Sequence, residues 1–556
     1  MASPSSSPPA ARDDDGSEAS TSRDWNRALR EEIAAVLAQP AGCLRRTDES
    51  VHHQKCLARR LQVARGIHDV WTDRGRDRAG LAEPMADGRA QSIGAFVAEA
   101  AEEDEVGTAG DIPVRDANDL SEEEFIVRYM LPNAPVLIRG IGKGWRSRQE
   151  WVRRGAIDAG FMSDAFGNSD VWVTNCAPGA SAARTLMKAR EFFERHWRDG
   201  EASDVRNGED GDVPPPLMYL KDWHFASEHA DYEAYVTPPY FREDWLNEYY
   251  IDAHKRKLAH ACAEASPTGA AESSDLDAIN ESDYRFVYAG PKGTRTGLHA
   301  DVLRSFSWSI NVSGRKRWFL LSPKYTHLLY DRFGLELAKD FFDCDAQRFP
   351  NVAKARRHLV RCVQGEGEAI FVPSGWHHTV ENLDATVSIN HNWFNAWNVH
   401  YAWELLQRER HEAEQAIVDC RDMCDSPEEF EALVQRNVAA NASMDYAKFA
   451  ELLILIAESR GAILGADAVV KAGVREKTGK EEKGKEKGKE EAGEVAGVPL
   501  AQLRAAHELK VACSVLVALC GASSDAALID RITQTLDGMR VLGRSHGINL
   551  RPASDA

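Results

Sequence analysis

Two short stretches hold residues whose types and spacing suit chemistry. In TGLHADVLRSFSW, His299 and Asp301 stand two apart, and in VPSGWHHTVEN, His377 and His378 follow a Pro-Ser-Gly turn and open a short β-branched run. Side chains at i and i+2 of a strand face the same way, so His299 and Asp301 would project together from one strand end. Read alone, an H-x-D pair is equally a hydrogen-bonded pair within a core, since a chain of this size contains one by chance. A distal histidine changes that reading. Two histidines and one carboxylate form the facial set that binds non-haem Fe(II) and leaves three coordination positions open. An oxygenase of that kind needs an electron-donating cosubstrate. A 2-oxo acid would chelate two open positions, and its far carboxylate would require a cation and a hydroxyl donor. Lys316, in GRKRW, offers the cation, and Thr296, three residues before His299, offers the hydroxyl. Without the triad, Lys316 reads as a surface lysine between two arginines.

Such residues need a rigid frame. From Tyr284 to Trp393 the chain reads as eight short strands separated by turn residues: YRFVYAG, GLHAD, FSWSINVSG, KRWFLL, HLVRCVQ, EAIFVP, HHTVEN and ATVSINHNW. That pattern predicts a double-sheet jelly roll or barrel over 284–398. Before it, 112–283 alternates aromatic strands and helices, beginning with SEEEFIVRYML, whose Ser121 and Glu124 form a capping box. A polar stretch at 254–282 reads as a surface insertion. After Asn398 the period becomes helical through 399–556, with a second capping box at Ser426 and Glu429. Residues 472–497, rich in Lys, Glu and Gly, are expected to form a solvated, disordered loop. Residues 1–22 are too polar to bury a core and are also expected to be disordered. Residues 23–111 show only helical patches.

The 556 residues are 43% hydrophobic and 28% charged, which is ordinary for a globular protein. The formal net charge of -19 argues against a broad nucleic-acid footprint, because displacing counterions from phosphates needs a basic face. No apolar run approaches the roughly 18 to 20 residues that span a bilayer, so no membrane association is expected. ELLILIA and VACSVLVALC read as helix cores. The N-terminus has neither a basic nor an apolar signal segment, which leaves a cytoplasmic or nuclear address as the expectation. Ten cysteines spread over so long a chain read as reduced thiols, with Cys420 and Cys424 as buried helix cysteines.

GLHAD with Lys316 downstream, FVPSGWHHTVEN and SINHNWFN resemble the JmjC branch of the Fe(II)/2-oxoglutarate oxygenases. MYLKDWHF, PPYFREDWLNEYY, DYRFVYAGP and HADVLRSFSWSINVSGRKRW are similar to its protein lysyl hydroxylases. The resemblance covers about 112–461. It implies an α+β fold with a double-stranded β-helix, and Fe(II), 2-oxoglutarate and O2 as cofactor and cosubstrates. It further implies His299, Asp301 and His378 as iron ligands. His378 is preferred to His377 because the family keeps the ligand four residues before an asparagine, here Asn382. His377, its strand neighbour, would point the opposite way. Thr296 and Lys316 match the 2-oxoglutarate positions. Asn390 stands where relatives place another polar group near the cosubstrate, and Ser309 where some carry an asparagine. Asn390 and Asn392 read equally well as strand hydrogen-bonding residues. The implied substrate is a lysine of the translation termination factor, hydroxylated on carbon. Histone lysine demethylation, hydroxylation of a small molecule or RNA, and a cupin-like binding module without catalysis are the alternatives. The C-terminal helices would cap the barrel or form a homodimer.

Overall fold

The computed structural model describes residues 18–42, 44, 110–177, 180, 183–197, 216–264, 283–477, 498–546 and 548–550. All eight strands expected between 284 and 398 form, in two sheets. The smaller sheet runs, in spatial order, Gly110–Asp111, Leu359–Gln364, Lys316–Leu321, His377–Asn382 and Arg295–His299. The larger runs Val114–Asp116, Val136–Arg139, Ala369–Val372, Phe306–Ser313, Thr386–Trp393, Arg285–Gly290, Met218–Trp223, Asp170–Asn175 and Arg184–Lys188. The jelly roll therefore borrows five strands of its larger sheet from the preceding region.

Alternation along the central strands explains the layering. In Phe306–Ser313, the residues Phe306, Trp308, Ile310 and Val312 enter an apolar core with Val387, Ile389 and Trp393 of the adjacent strand. The intervening Ser307 and Ser309 face a cavity instead. One face of this sheet is thus buried under helices, and the other is polar and turned towards the smaller sheet. Where no cavity intervenes, the two sheets meet through Leu137, Ile370 and Val372 on one side and Trp318, Leu320 and Val380 on the other.

Each expected capping box forms by half: Ser121 accepts from the Glu124 backbone N–H and Ser426 from that of Glu429. The return bonds do not form among the described residues, because Glu124 instead accepts from Arg115 and Arg128 and Glu429 from the Asp425 backbone N–H. Several boundaries differ from expectation. A helix already begins at Glu18 and ends at Ala38, inside the stretch read as disordered; residues 1–17 lie outside the described residues. The helix Trp245–Glu264 runs eleven residues into the 254–282 segment, and 265–282 lie outside the described residues. Likewise Tyr446–Lys477 continues past 472, leaving 478–497 outside. Once a helix is anchored by buried residues such as Trp245, Leu246 and Tyr250, each further residue adds a hydrogen bond at little cost, so a polar composition does not end it. Cys420 is half-buried on a 3-10 turn, Val418–Met423, and Cys424 just follows it, so neither is a buried helix cysteine.

The C-terminal helices form a second core with Trp245–Glu264. Among them, Leu500–Ala522 is long and apolar enough, by length and composition, to cross a bilayer, contrary to expectation. VACSVLVALC is only the apolar second half of this helix, and the helix extends before it through LAQLRAAHELK. In this fold 67% of that apolar stretch is buried within the protein. An ionic network ties the helices of this second core together: Arg460 donates to Glu508 at 2.8 Å and to Glu248 at 2.8 Å, and Trp245 Nε1 donates to Glu508 at 2.7 Å. Glu508 is buried, so removing its cation strands a carboxylate in apolar surroundings. Arg460→Met should therefore lower the unfolding free energy by about 3 kcal/mol, read from urea denaturation. A loss near zero would mean that the network adds nothing net.

Candidate metal centre

His299 is the last residue of its strand and lies directly opposite His378 on the adjacent antiparallel strand, with ring centroids 4.3 Å apart. Each imidazole is held by its own backbone. His299 Nδ1 lies 2.8 Å from the Gly297 carbonyl and His378 Nδ1 3.0 Å from that of Trp376, so each Nδ1 carries the proton and donates. Both Nε2 lone pairs are then left to face the cavity. Asp301 lies just beyond the strand, as the residue preceding a 3-10 turn, and its Oδ2 accepts from Ser307 Oγ at 2.7 Å. Ligand atoms of His299, Asp301 and His378 all lie within 4.8 Å of one another. The surface that His299 exposes faces the cavity. Loss of hydration there, then the neighbouring His378, push its pKa down to about 4, which keeps the ring a neutral donor.

These residues suit a divalent transition metal. Two neutral imidazoles and one carboxylate, each tethered by a hydrogen bond, converge, and among the described residues no other protein group completes the set.

His377 does not join them. It pairs with Leu321 in the ladder, and its ring meets Thr326 on the outer side of the sheet, with Nδ1 to Oγ1 at 3.4 Å. His377→Ala should keep its full metal content after anaerobic loading, measured by elemental analysis. Loss of metal in this variant but not in His378→Ala would exchange the two assignments.

All seven residues singled out from the sequence, His299, Asp301, His378, Thr296, Lys316, Ser309 and Asn390, line one cavity of about 880 Å³. Lys316 lies deep in it, 3% exposed, with no carboxylate partner among the described residues. Burial, then the neighbouring Lys221, push its pKa down to about 7. Its ammonium donates to Tyr219 Oη at 3.3 Å. Thr296 and Asn382 stand beside the same phenol. Ser309 Oγ is buried without a hydrogen-bond partner among the described residues. A buried cation lacking an anion and a buried hydroxyl lacking a partner, in one cavity with the triad, fit a small dicarboxylate. Asn390 Nδ2 donates to Ser388 Oγ at 3.1 Å, so part of its capacity is spent along its own strand.

Sequence reasoning missed Tyr219, Tyr288 and Lys221. All three line the cavity, and Tyr288 donates to Asp222 at 2.6 Å. They sit in MYLKDW and YRFVYAG, where alternate residues are polar or aromatic within an apolar strand. That was the available signal.

A family model described as a cupin-like domain matches residues 121–398. The chain is 41% identical over 344 residues to "Arginine-specific demethylase JMJ20" of Arabidopsis thaliana, covering 61% of this chain and 69% of that protein. It is 35% identical over 350 residues to "2-oxoglutarate and iron-dependent oxygenase JMJD4" of Danio rerio, covering 62% and 74%. To the protein of the same name from Homo sapiens it is 33% identical over 351 residues, covering 62% and 75%. With the jelly roll, the converging His/Asp/His set and these relatives in agreement, the chain belongs to the cupin-like JmjC family of 2-oxoglutarate- and iron-dependent oxygenases.

Proposed function

We propose that this protein is an Fe(II)- and 2-oxoglutarate-dependent protein hydroxylase that oxidises a carbon of a lysine side chain, with the translation termination factor as its substrate. His299, Asp301 and His378 hold the metal. Lys316 binds the far carboxylate of 2-oxoglutarate, with Thr296, Tyr219 and Ser309 as hydrogen-bonding neighbours. When bound, the metal and its cosubstrate supply the oxidising chemistry. The chain contributes the geometry and the exclusion of bulk water, and it needs no nucleophile of its own.

The observation that supports a cationic side chain as the substrate is the character of the cavity wall. Asp170, Asp222, Glu228 and Asp283 line it, together with the aromatic rings of Trp172, Tyr284 and Phe286. Arg184, Lys188 and Arg285 pair with three of these acids, Asp222, Asp170 and Asp283, while Glu228 accepts from Trp223 Nε1. Carboxylates and aromatic faces favour a cationic side chain. A methylated arginine satisfies the same wall, and the Arabidopsis relative named as an arginine-specific demethylase makes this the second reading.

The test incubates the Fe(II)-loaded protein and 2-oxoglutarate with a termination-factor domain and, separately, with a methylated-arginine peptide. Gain of one oxygen on a lysine, seen by fragmentation mass spectrometry, is the expected result. Loss of a methyl group with release of formaldehyde would replace the first reading with the second. Absence of succinate in every reaction would sink both.

A further inference from the structure

We propose that Ser307 is a positioning residue for the metal. Through its hydrogen bond to Asp301 it fixes which carboxylate oxygen faces the metal. The proposal rests on the metal-binding reading above.

The three candidate ligands differ in how they are held. His299 and His378 lie on paired strands, and each is oriented by a carbonyl two residues earlier in its own chain, a tether that no substitution removes. Asp301 has no such support. It sits past the strand end, before a turn in which Leu303 and Arg304 take φ of 54° and 50°, left-handed values that non-glycine residues adopt at a cost. Its carboxylate makes no capping bond to that turn. Among the described residues, the only hydrogen bond to the carboxylate comes from Ser307 Oγ.

The turn brings this pairing about. By folding back within a few residues it delivers the chain into the Phe306–Ser313 strand of the larger sheet, where Ser307 is on the cavity-facing side and stands opposite Asp301. The hydroxyl donates to Oδ2 and so occupies that oxygen, leaving Oδ1 as the metal donor. A carboxylate held this way binds through one oxygen and does not chelate. That preserves the number of open positions on the facial set. Ser307 touches neither the reacting atoms nor the metal in this arrangement.

The experiment measures Co(II) binding, as a stand-in for Fe(II), by equilibrium dialysis and by the visible absorption of the bound ion. It uses the full-length protein and its Ser307→Ala, Ser307→Thr and Asp301→Ala variants. Loss of an outer hydrogen bond to a ligand weakens metal binding about 10- to 100-fold. Ser307→Ala should fall in that range with an altered absorption band. Ser307→Thr, which keeps the hydroxyl, should restore both. Ser307→Ala within twofold of the parent with an unchanged band would overturn the positioning role, as would Ser307→Thr behaving like Ser307→Ala. If Asp301→Ala binds Co(II) as tightly as the parent, the metal assignment itself fails, an outcome separate from either of those.

Discussion

Asp301→Ala should remove 2-oxoglutarate turnover, with succinate formation falling at least about 1,000-fold, which corresponds to roughly 4 kcal/mol of lost transition-state stabilisation. In the proposed facial set of three, losing the one anionic member would remove both a ligand and the charge that offsets the metal. The fold should tolerate the change. Asp301 lies in a turn, is half-buried, makes no capping bond and gives up a single side-chain hydrogen bond, from Ser307, which then faces an open cavity. Thermal unfolding without metal should therefore shift by no more than a few degrees. His299→Ala should behave alike in turnover. Near-normal succinate production by either variant would show that the chemistry takes place elsewhere.

The second large effect is expected at Lys316, and it takes opposite signs in binding and in stability. Replacing it with Met removes the buried cation, and the apparent KM for 2-oxoglutarate should rise about 10- to 100-fold, the range for a charged hydrogen bond to a buried carboxylate. The ligand-free protein should become more stable. Burial holds the folded-state pKa of Lys316 at about 7, against 10.5 for an exposed lysine. Between these values the folded chain binds fewer protons than the unfolded one, so stability rises with pH across about pH 7 to 10.5 and is lowest below pH 7. Lys316→Met should abolish that rise and gain up to a few kcal/mol at neutral pH. In the parent protein, 2-oxoglutarate binding should take up protons above about pH 7, so cosubstrate affinity should fall as pH rises. Calorimetric titrations in buffers of different ionisation enthalpy measure the uptake. A parent and a Lys316→Met variant with the same cosubstrate affinity would take the residue out of the site.

Both effects arise from residues that were readable before any coordinates. The run S-W-S-I-N-V-S of Ser307–Ser313 shows why. Strict alternation announces a strand, and its polar half announces a face that is not ordinary core. Spacing singled out His299 and Asp301 for the same reason. Other features were hidden because they depend on partners distant in the chain. The contact of Tyr219 with Lys316 joins residues 97 apart in sequence and follows from the order of strands within two sheets. Helix ends at Glu264 and Lys477 were missed because polar residues continue a helix once buried turns anchor it.

By itself, then, the sequence determined the eight-strand jelly roll, the His-x-Asp pair with its distal histidine, and a lysine and threonine suited to a dicarboxylate. Local periodicity and residue chemistry write these directly into the chain. The resemblance already preferred His378 to His377, and the tertiary structure supplied the physical ground, because register across paired strands turns His378 to the cavity and His377 to Thr326. Only the tertiary structure decided that Lys316 is buried without a carboxylate partner among the described residues, and that Ser307 reaches Asp301. Both depend on which strands become neighbours, and that is settled by packing between segments far apart in the chain.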